Sequence, residues 1–190
     1  AWETLKREMF NLPNMITLGR LFLIPPVIWL IDPTDPVRNL YASLIFAAAS
    51  GLDILDGYLA RKQGLVTVFG KFVDPLADKL LVSTALIMLV ACGRIPLWAV
   101  GMVVVIIGRE LAVTGLRSIA SSDGHVVGAS WQGKLKSLVQ NFSVGALLFH
   151  YPTIGLPAQQ VGLTLLGAAT ALTLWSGYVY FADYFGWKSR

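Results

Sequence analysis

Long apolar runs separated by short polar segments make up most of this chain. Each of the longest runs is close to or above the ~20 residues with which a helix crosses a bilayer. They cover residues 14–31, 39–60, 70–92, 95–119, 131–150 and 157–182. No Asp, Glu, Lys or Arg occurs between Lys136 and Asp183, which leaves room for two spans. The pattern predicts an all-α integral membrane protein with six transmembrane helices.

The segments outside these runs contain the residues that begin and end helices. Pro and Asp alternate in 32–36, and Gly93 and Pro96 lie between the third and fourth runs. Residues 2–12 repeat large apolar side chains at helical spacing around charged ones. This spacing predicts a short N-terminal amphipathic helix that lies on the membrane surface.

The composition agrees with a membrane protein and argues against a disulfide and a zinc site. The 190 residues are 55% hydrophobic and only 14% charged, against about 25% charged in soluble domains. That length predicts a single domain over 1–190. Cys92 is the only cysteine, so no internal disulfide can form, and with two histidines a zinc site is not expected.

The positions of Lys and Arg predict the orientation of the chain in the membrane. The chain has a net charge of +4, which could suggest nucleic acid as a partner. Its basic residues, however, collect at alternate ends of the apolar runs rather than in one patch, which argues against this. One side holds only Arg38 and Arg94. The opposite side holds the termini and most other basic residues, among them Lys6, Arg7, Arg61, Lys62, Lys188 and Arg190. Both termini are therefore expected in the cytosol, in the inner membrane if the protein is bacterial; no cleavable signal peptide is evident.

Four carboxylates interrupt two of the apolar runs: Asp53, Asp56, Asp74 and Asp78. A single charged side chain at the centre of a bilayer costs roughly 2.5–3.5 kcal/mol. Such a cluster therefore needs neutralising positive charge, and Asp oxygens suit hard cations such as magnesium, manganese or calcium. Two divalent cations would balance four carboxylates, and paired metals are a common device of phosphoryl chemistry.

Helix geometry places these carboxylates at similar depth. With a rise of 1.5 Å per residue, Asp53 lies about 10 Å and Asp78 about 12 Å from the cytosolic ends of their spans. Basic residues of three other spans are expected in the same layer: Arg20, Arg109, Lys134 and Lys136. The convergence predicts a polar cavity that opens to the cytosol.

The spacing of these residues resembles a known signature. Residues 53–78 follow the pattern D-x2-D-G-x2-A-R-x8-G-x3-D-x3-D of the CDP-alcohol phosphatidyltransferase family. Residues 14–20 are similar to its first-span motif. Residues 108–117 and 131–137 resemble the bacterial branch whose acceptor is sn-glycerol 3-phosphate, with Ser137 where Thr is expected.

The resemblance implies a six-helix fold, a homodimer and a metal-dependent site on the cytosolic side. It implies that Asp53, Asp56 and Asp74 bind metal and that Asp78 contacts metal and acts as the general base. The residues implied for the CDP group are Asn14, Thr17, Asp53, Gly57, Ala60, Arg61 and Gly70. The cations expected to bind the acceptor phosphate are Arg20, Arg109, Arg117, Lys134 and Lys136.

The expected reaction is transfer of a phosphatidyl group from CDP-diacylglycerol to sn-glycerol 3-phosphate, with Mg or Mn as cofactor and release of CMP. Glu110 is expected either to orient a neighbouring Arg or to lie solvated at a helix end. Three alternatives remain open at this point: another acceptor, such as serine or inositol phosphate; a cation-coupled transporter; and a structural membrane scaffold. A transporter would need charged groups along the whole path, whereas here they gather near one surface.

Overall fold

The computed structural model describes residues 12–63, 68–122, 131–151 and 157–188. Within these ranges the side chains at 12–13, 53–63, 68–72, 74–75 and 187–188 are not described. The described chain is helical, with no strand. Its helices are α1 (Leu12–Leu30), α2 (Pro36–Gln63), α3 (Val68–Ala91), α4 (Val100–Ser122), α5 (Trp131–Phe149) and α6 (Ala158–Lys188), with a 3-10 turn at Leu97–Ala99 before α4.

The helices follow the apolar runs closely, and the prediction of an all-α chain is confirmed for the described residues. Two segments of that part are long and apolar enough to cross a membrane, Leu97–Ser122 and Ala158–Gly186, and Asn14–Leu30 is a shorter apolar helix. Large apolar side chains such as Phe22 and Trp29 point outward. These features support association with a membrane. The count of six spans stays a prediction, and the predicted N-terminal helix lies outside the described residues.

Close helix packing forms the interior. α6 lies against α5 and α4, while α1 lies against α2 and α3. Small residues let helices approach, as in membrane bundles generally. At Gly162 of α6, an added Cβ would lie 2.6 Å from Cγ of Leu147 on α5, so only glycine fits this contact. The fully buried apolar side chains include Phe46, Leu81, Leu86, Leu89, Leu147, Leu148 and Leu166.

Local sequence explains where the helices begin and end opposite the predicted cytosolic side. Asp35 caps α2, because its Oδ1 accepts hydrogen bonds from the backbone N–H groups of Val37 and Arg38 at 2.9 and 3.2 Å. Pro36 then fits the first helical position, where no N–H partner is needed. Gly93 ends α3 with φ of 70°, a left-handed conformation that glycine adopts without steric cost.

Arg94 ties these helix ends together from inside the protein. It is only 2% exposed, and it donates to the carbonyls of Leu148 at 2.8 Å and Asp32 at 2.6 Å and to Oδ1 of Asn39 at 2.7 Å. Asn39, also buried, donates in turn to the carbonyl of Asp32 at 2.7 Å. Arg94 also lies 3.4 Å from the carbonyl of Leu147, and we call Arg94 with these acceptors the Arg94 clasp. It joins the ends of α1, α3 and α5 to the first turns of α2.

Beside the clasp, the Asp32 carboxylate organises the exposed α1–α2 connection. The backbone N–H and hydroxyl of Thr34 both donate to its Oδ1 at 2.8 Å. These hydrogen bonds hold the pKa of the Asp32 carboxyl below its usual range, since they favour the ionised form. Arg38 pairs with Oδ2 at 2.7 Å and is partly solvent-exposed.

Candidate active site

Asp78, the expected general base, lies beside a buried arginine. Arg20 of α1 is 1% exposed, and its Nη2 lies 3.6 Å from Oδ1 of Asp78 on α3. The pair forms because α1 packs directly on α3. The structure places the Arg20 guanidinium beside the carboxylate, where it can neutralise and orient Asp78, and the expected contact of Arg20 with the acceptor phosphate stays a prediction.

Two further polar residues of α1 share the buried face of Arg20. Asn14 and Thr17 are 3% and 1% exposed, and the spacing of three residues from Asn14 to Thr17 to Arg20 puts them on one helix face. Buried polar side chains at this depth need partners or a function. The first-span motif therefore lines the interior, on the same helix face as Arg20, which lies beside Asp78.

Glu110 of α4 joins two of the expected phosphate-binding cations. Its Oε1 accepts from Nζ of Lys136 at 2.5 Å and from Nη1 of Arg109 at 3.0 Å. Lys136 lies on α5 and is 2% exposed. Of the two roles expected for Glu110, the structure shows the orienting one. The three side chains together carry a net charge of +1.

Arg109 reaches the last helix as well. Its Nη2 donates to Oγ of Ser176 on α6 at 3.0 Å. A Cβ added at Gly177 would lie 3.3 Å from Cγ of Arg109 and 3.6 Å from its Nε. The arginine side chain therefore runs across Gly177 and ends at Ser176.

A pocket between α3, α4 and α5 joins the expected base to one of the expected cations. Its lining is partly polar, and its apolar lining residues are Val82, Leu86, Ile106 and Ile107. Gln140 is 4% exposed, and its Oε1 has no hydrogen-bond partner among the described residues. The polar lining residues are Asp78, Lys79, Ser83, Glu110, Lys136, Ser137, Gln140 and Asn141.

Two other expected cations lie apart from the buried group. Lys134 is exposed on α5, because a step of two positions from Lys136 turns it to another face of the helix. Arg117 is exposed near the end of α4, where its guanidinium lies 5.7 Å from the ring centre of Tyr180. Both remain open to solvent at the same end of α4 and α5 as the buried trio.

For the other residues expected at the site, the structure describes only the backbone. Asp53, Asp56, Gly57, Ala60 and Arg61 lie in α2, and Gly70 and Asp74 lie in α3, but their side chains fall outside the described residues. Asp53 comes ten residues before the end of α2 at Gln63, and Asp78 comes ten residues after the start of α3 at Val68. The acidic positions are thus equally far from the connection between the two helices.

The acidic residues fit hard divalent cations by their chemistry, since carboxylate oxygens are the preferred ligands of magnesium and manganese. The described side chains include no group of three or more possible metal ligands. That group would need Asp53, Asp56 and Asp74, which are not among them. The metal assignment therefore stays a prediction.

Sequence reasoning did not predict any site residue on α6. Thr173, Ser176, Gly177 and Tyr180 recur at spacings of three and four residues and face α4. A stripe of small and polar residues, in a helix that has no charged residue before Asp183, was the available signal. Only the contact with Arg109, which is distant in sequence, shows that this stripe belongs to the site.

Comparison with known proteins identifies the class. The model of the CDP-alcohol phosphatidyltransferase family matches residues 10–175. The chain belongs to this family, whose members generally depend on divalent cations. The family resemblance of the motifs is thus confirmed.

The relatives narrow the class to one branch. The chain is 47% identical to the CDP-diacylglycerol–glycerol-3-phosphate 3-phosphatidyltransferase of Bacillus subtilis, over 92% of this chain and 95% of that protein. It is 41% identical to a probable phosphatidylglycerophosphate synthase of Mycobacterium tuberculosis, over 93% and 83% of the two chains. A third relative, the CDP-diacylglycerol–glycerol-3-phosphate 3-phosphatidyltransferase of Rickettsia typhi, is 38% identical over 91% and 96%.

Proposed function

We propose that this protein transfers the phosphatidyl group of CDP-diacylglycerol to sn-glycerol 3-phosphate and releases CMP. The observation that carries the proposal is the pocket that Asp78 and Lys136 line together. It offers a carboxylate for the acceptor hydroxyl and a cation for the acceptor phosphate within one cavity. The relatives named for this reaction match over nearly the whole chain.

The donor is proposed to bind where α1, α2 and α3 meet. Asn14 and Thr17 present polar groups from the buried face of α1. The CDP group would also contact Gly57, Ala60, Arg61 and Gly70, and Asp53, Asp56, Asp74 and Asp78 would hold two Mg or Mn ions. Such ions, when bound, neutralise charge that develops on the departing CMP.

Asp78 is proposed to accept the proton of the primary hydroxyl of glycerol 3-phosphate. The freed oxygen forms a bond to the phosphorus that carries diacylglycerol, and the bond from that phosphorus to the CMP oxygen breaks. CMP leaves with the electron pair. Arg20, whose Nη2 lies 3.6 Å from Oδ1 of Asp78, holds the carboxylate in place before the proton moves.

The acceptor phosphate is proposed to bind beside Glu110. An Arg Nη nitrogen carries two hydrogens and a Lys ammonium three. After Arg109 and Lys136 have each bonded Glu110, both retain hydrogens for phosphate oxygens. Lys134 and Arg117, being exposed, would contact the phosphate from the solvent side.

The remaining proposals concern the whole chain and its place in the membrane. We propose one domain over 1–190, with six membrane-spanning helices, a surface N-terminal helix and both termini in the cytosol. The diacylglycerol chains stay among membrane lipids, while the nucleotide reaches the site from the cytosol. A homodimer is expected from the family resemblance.

The test is an assay of the purified protein with CDP-diacylglycerol and a panel of acceptors: glycerol 3-phosphate, serine, inositol phosphate and water. CMP and a phosphatidylglycerophosphate product should form with glycerol 3-phosphate, and Asp78→Asn should lower turnover by at least about 100-fold, the usual range for a general base. Asp78→Asn should still bind CDP-diacylglycerol. A preference for another acceptor would refute the acceptor assignment, and nucleotide-independent cation flux in liposomes would favour a transporter.

A further inference from the structure

The last helix carries a seat for Arg109 made of two consecutive residues, Ser176 and Gly177. We infer that Ser176 and Gly177 are positioning residues, which fix the Arg109 guanidinium in the orientation that binds the phosphate of the acceptor. The inference rests on the proposed function and extends the site to α6, a helix that has no charged residue before Asp183.

Ser176 is built to accept a hydrogen bond. It is 1% exposed, and its Oγ lies 3.2 Å from the carbonyl of Thr173, to which it donates its single hydrogen. Its lone pairs are therefore available to the Nη2 hydrogen of Arg109 at 3.0 Å. A buried hydroxyl with its hydrogen already committed can meet a cation but repels a carboxylate.

Gly177 supplies the space. The stem of Arg109 crosses α6 at this residue, where a Cβ would lie 3.3 Å from Arg109 Cγ, closer than ordinary van der Waals contact. Gly167, on the same helix, has no atom within 4 Å of its own added Cβ. The space left by glycine at position 177 is therefore taken by the Arg109 side chain, and it is not a general requirement of the packing of α6.

Glu110 and Ser176 hold the guanidinium from two helices. Glu110 takes Nη1 and Ser176 takes Nη2, so the plane of the fork cannot rotate without breaking one bond. A planar fork that is fixed in advance loses less freedom when it binds a phosphate. Glu110 alone would leave the fork free to turn about one contact, which gives Ser176 its role.

The test compares Ser176→Ala and Gly177→Ala with the control Gly167→Ala, using CMP release at varied concentrations of each substrate. Loss of a hydrogen bond to a charged group corresponds to an increase in KM of about tenfold or more. We expect Ser176→Ala to raise the KM for glycerol 3-phosphate by about tenfold and Gly177→Ala by a smaller factor. The KM for CDP-diacylglycerol should match that of the control.

Two further variants separate positioning from packing. Ser176→Thr keeps the hydroxyl and should restore most of the acceptor affinity. Because the seat acts through Arg109, Ser176→Ala should add no further increase in KM to that of Arg109→Ala in a double-mutant cycle. If Gly177→Ala raised the KM for CDP-diacylglycerol as much as the KM for glycerol 3-phosphate, the substitution would act through general packing, and the inference would be overturned.

The outcomes distinguish this inference from the function on which it rests. If the wild type makes no CMP from CDP-diacylglycerol and glycerol 3-phosphate, the proposed function fails, and the seat fails with it. If the wild type is active but both variants keep the acceptor KM of Gly167→Ala, only the seat is refuted. Additive effects with Arg109→Ala would refute it equally.

Discussion

At the residue scale, two lysines that are close in sequence have different environments. Lys136 is 2% exposed and bonds Glu110 at 2.5 Å, whereas Lys134 is exposed. Two residues correspond to about 200° around a helix, so neighbours of this kind cannot share a face. Their expected roles differ accordingly: Lys136 belongs to the buried support of the site, and Lys134 to its open edge.

This difference predicts two kinds of defect. Lys134→Ala should raise the KM for glycerol 3-phosphate about three- to tenfold, as expected for a solvent-exposed charge contact, and should leave the thermal midpoint unchanged. Lys136→Met should lower both activity and the thermal midpoint, because it removes a partner from the buried Glu110 carboxylate. Steady-state kinetics and thermal denaturation in detergent measure the two effects.

The two lysine variants serve as each other's control, since both remove one positive charge from α5. If both change only the acceptor KM, then Lys136 contacts the phosphate without supporting Glu110. If neither changes it, α5 does not form the acceptor site.

At the element scale, the helix ends opposite the site are joined by one buried side chain. Sequence reasoning treated Arg38 and Arg94 alike, as the two basic residues of that side. The structure separates them, because Arg94 is buried and bonded to α2 and to the ends of α1 and α5, whereas Arg38 is partly exposed and bonds only Asp32 and the carbonyl of Trp29 among the described side-chain contacts. Hydrogen bonds from a charged group to buried carbonyls stabilise more than a surface ion pair.

Arg94→Met should therefore lower the free energy of unfolding by about 2–4 kcal/mol, since it leaves buried acceptors without a donor. Arg38→Met should change it by at most about 1 kcal/mol, the usual range of exposed ion pairs. Unfolding by SDS in mixed micelles gives both values. Equal losses in the two variants would mean that the clasp contributes no more than a surface contact.

At the scale of the whole molecule, the polar groups are distributed unevenly along the bundle. Arg20, Asp78, Arg109, Glu110 and Lys136 meet at one level, and the Arg94 clasp lies at the opposite end of the helices. Fully buried Leu86, Leu89 and Leu166 fill the interior of the bundle. Among the described side chains this distribution is consistent with a reaction near one end of the bundle, and these side chains do not form a continuous polar path along it.

Removal of divalent cations tests whether the four aspartates of the site bind metal. Chelator should abolish CMP release, because Asp53, Asp56, Asp74 and Asp78 would then face one another without neutralising charge. Added magnesium or manganese should restore the activity, and calcium serves as a comparison for the size of the cation. Undiminished turnover in excess chelator would contradict a metal-dependent reaction.

Much of this architecture could be predicted from the order of residues alone. Apolar runs with Gly and Pro between them predict α1 to α6 with ends within about six residues of those seen, because helix length and termination are largely local properties. The spacing from Asp53 to Asp78 identified the family, since eight fixed positions over a short stretch rarely coincide by chance. Burial of Arg20 near Asp78 agrees with the predicted common depth of the two residues.

Which charges meet was decided by the tertiary structure. Helical spacing assigns a residue to a face, but the partner of that face depends on which helices pack together. Glu110 therefore bonds Lys136 rather than Lys134, Arg94 became a buried tie rather than an orientation signal, and Ser176 and Gly177 joined the site through Arg109. Desolvated charges must find partners wherever packing brings them, and sequence distance carries no information about that choice.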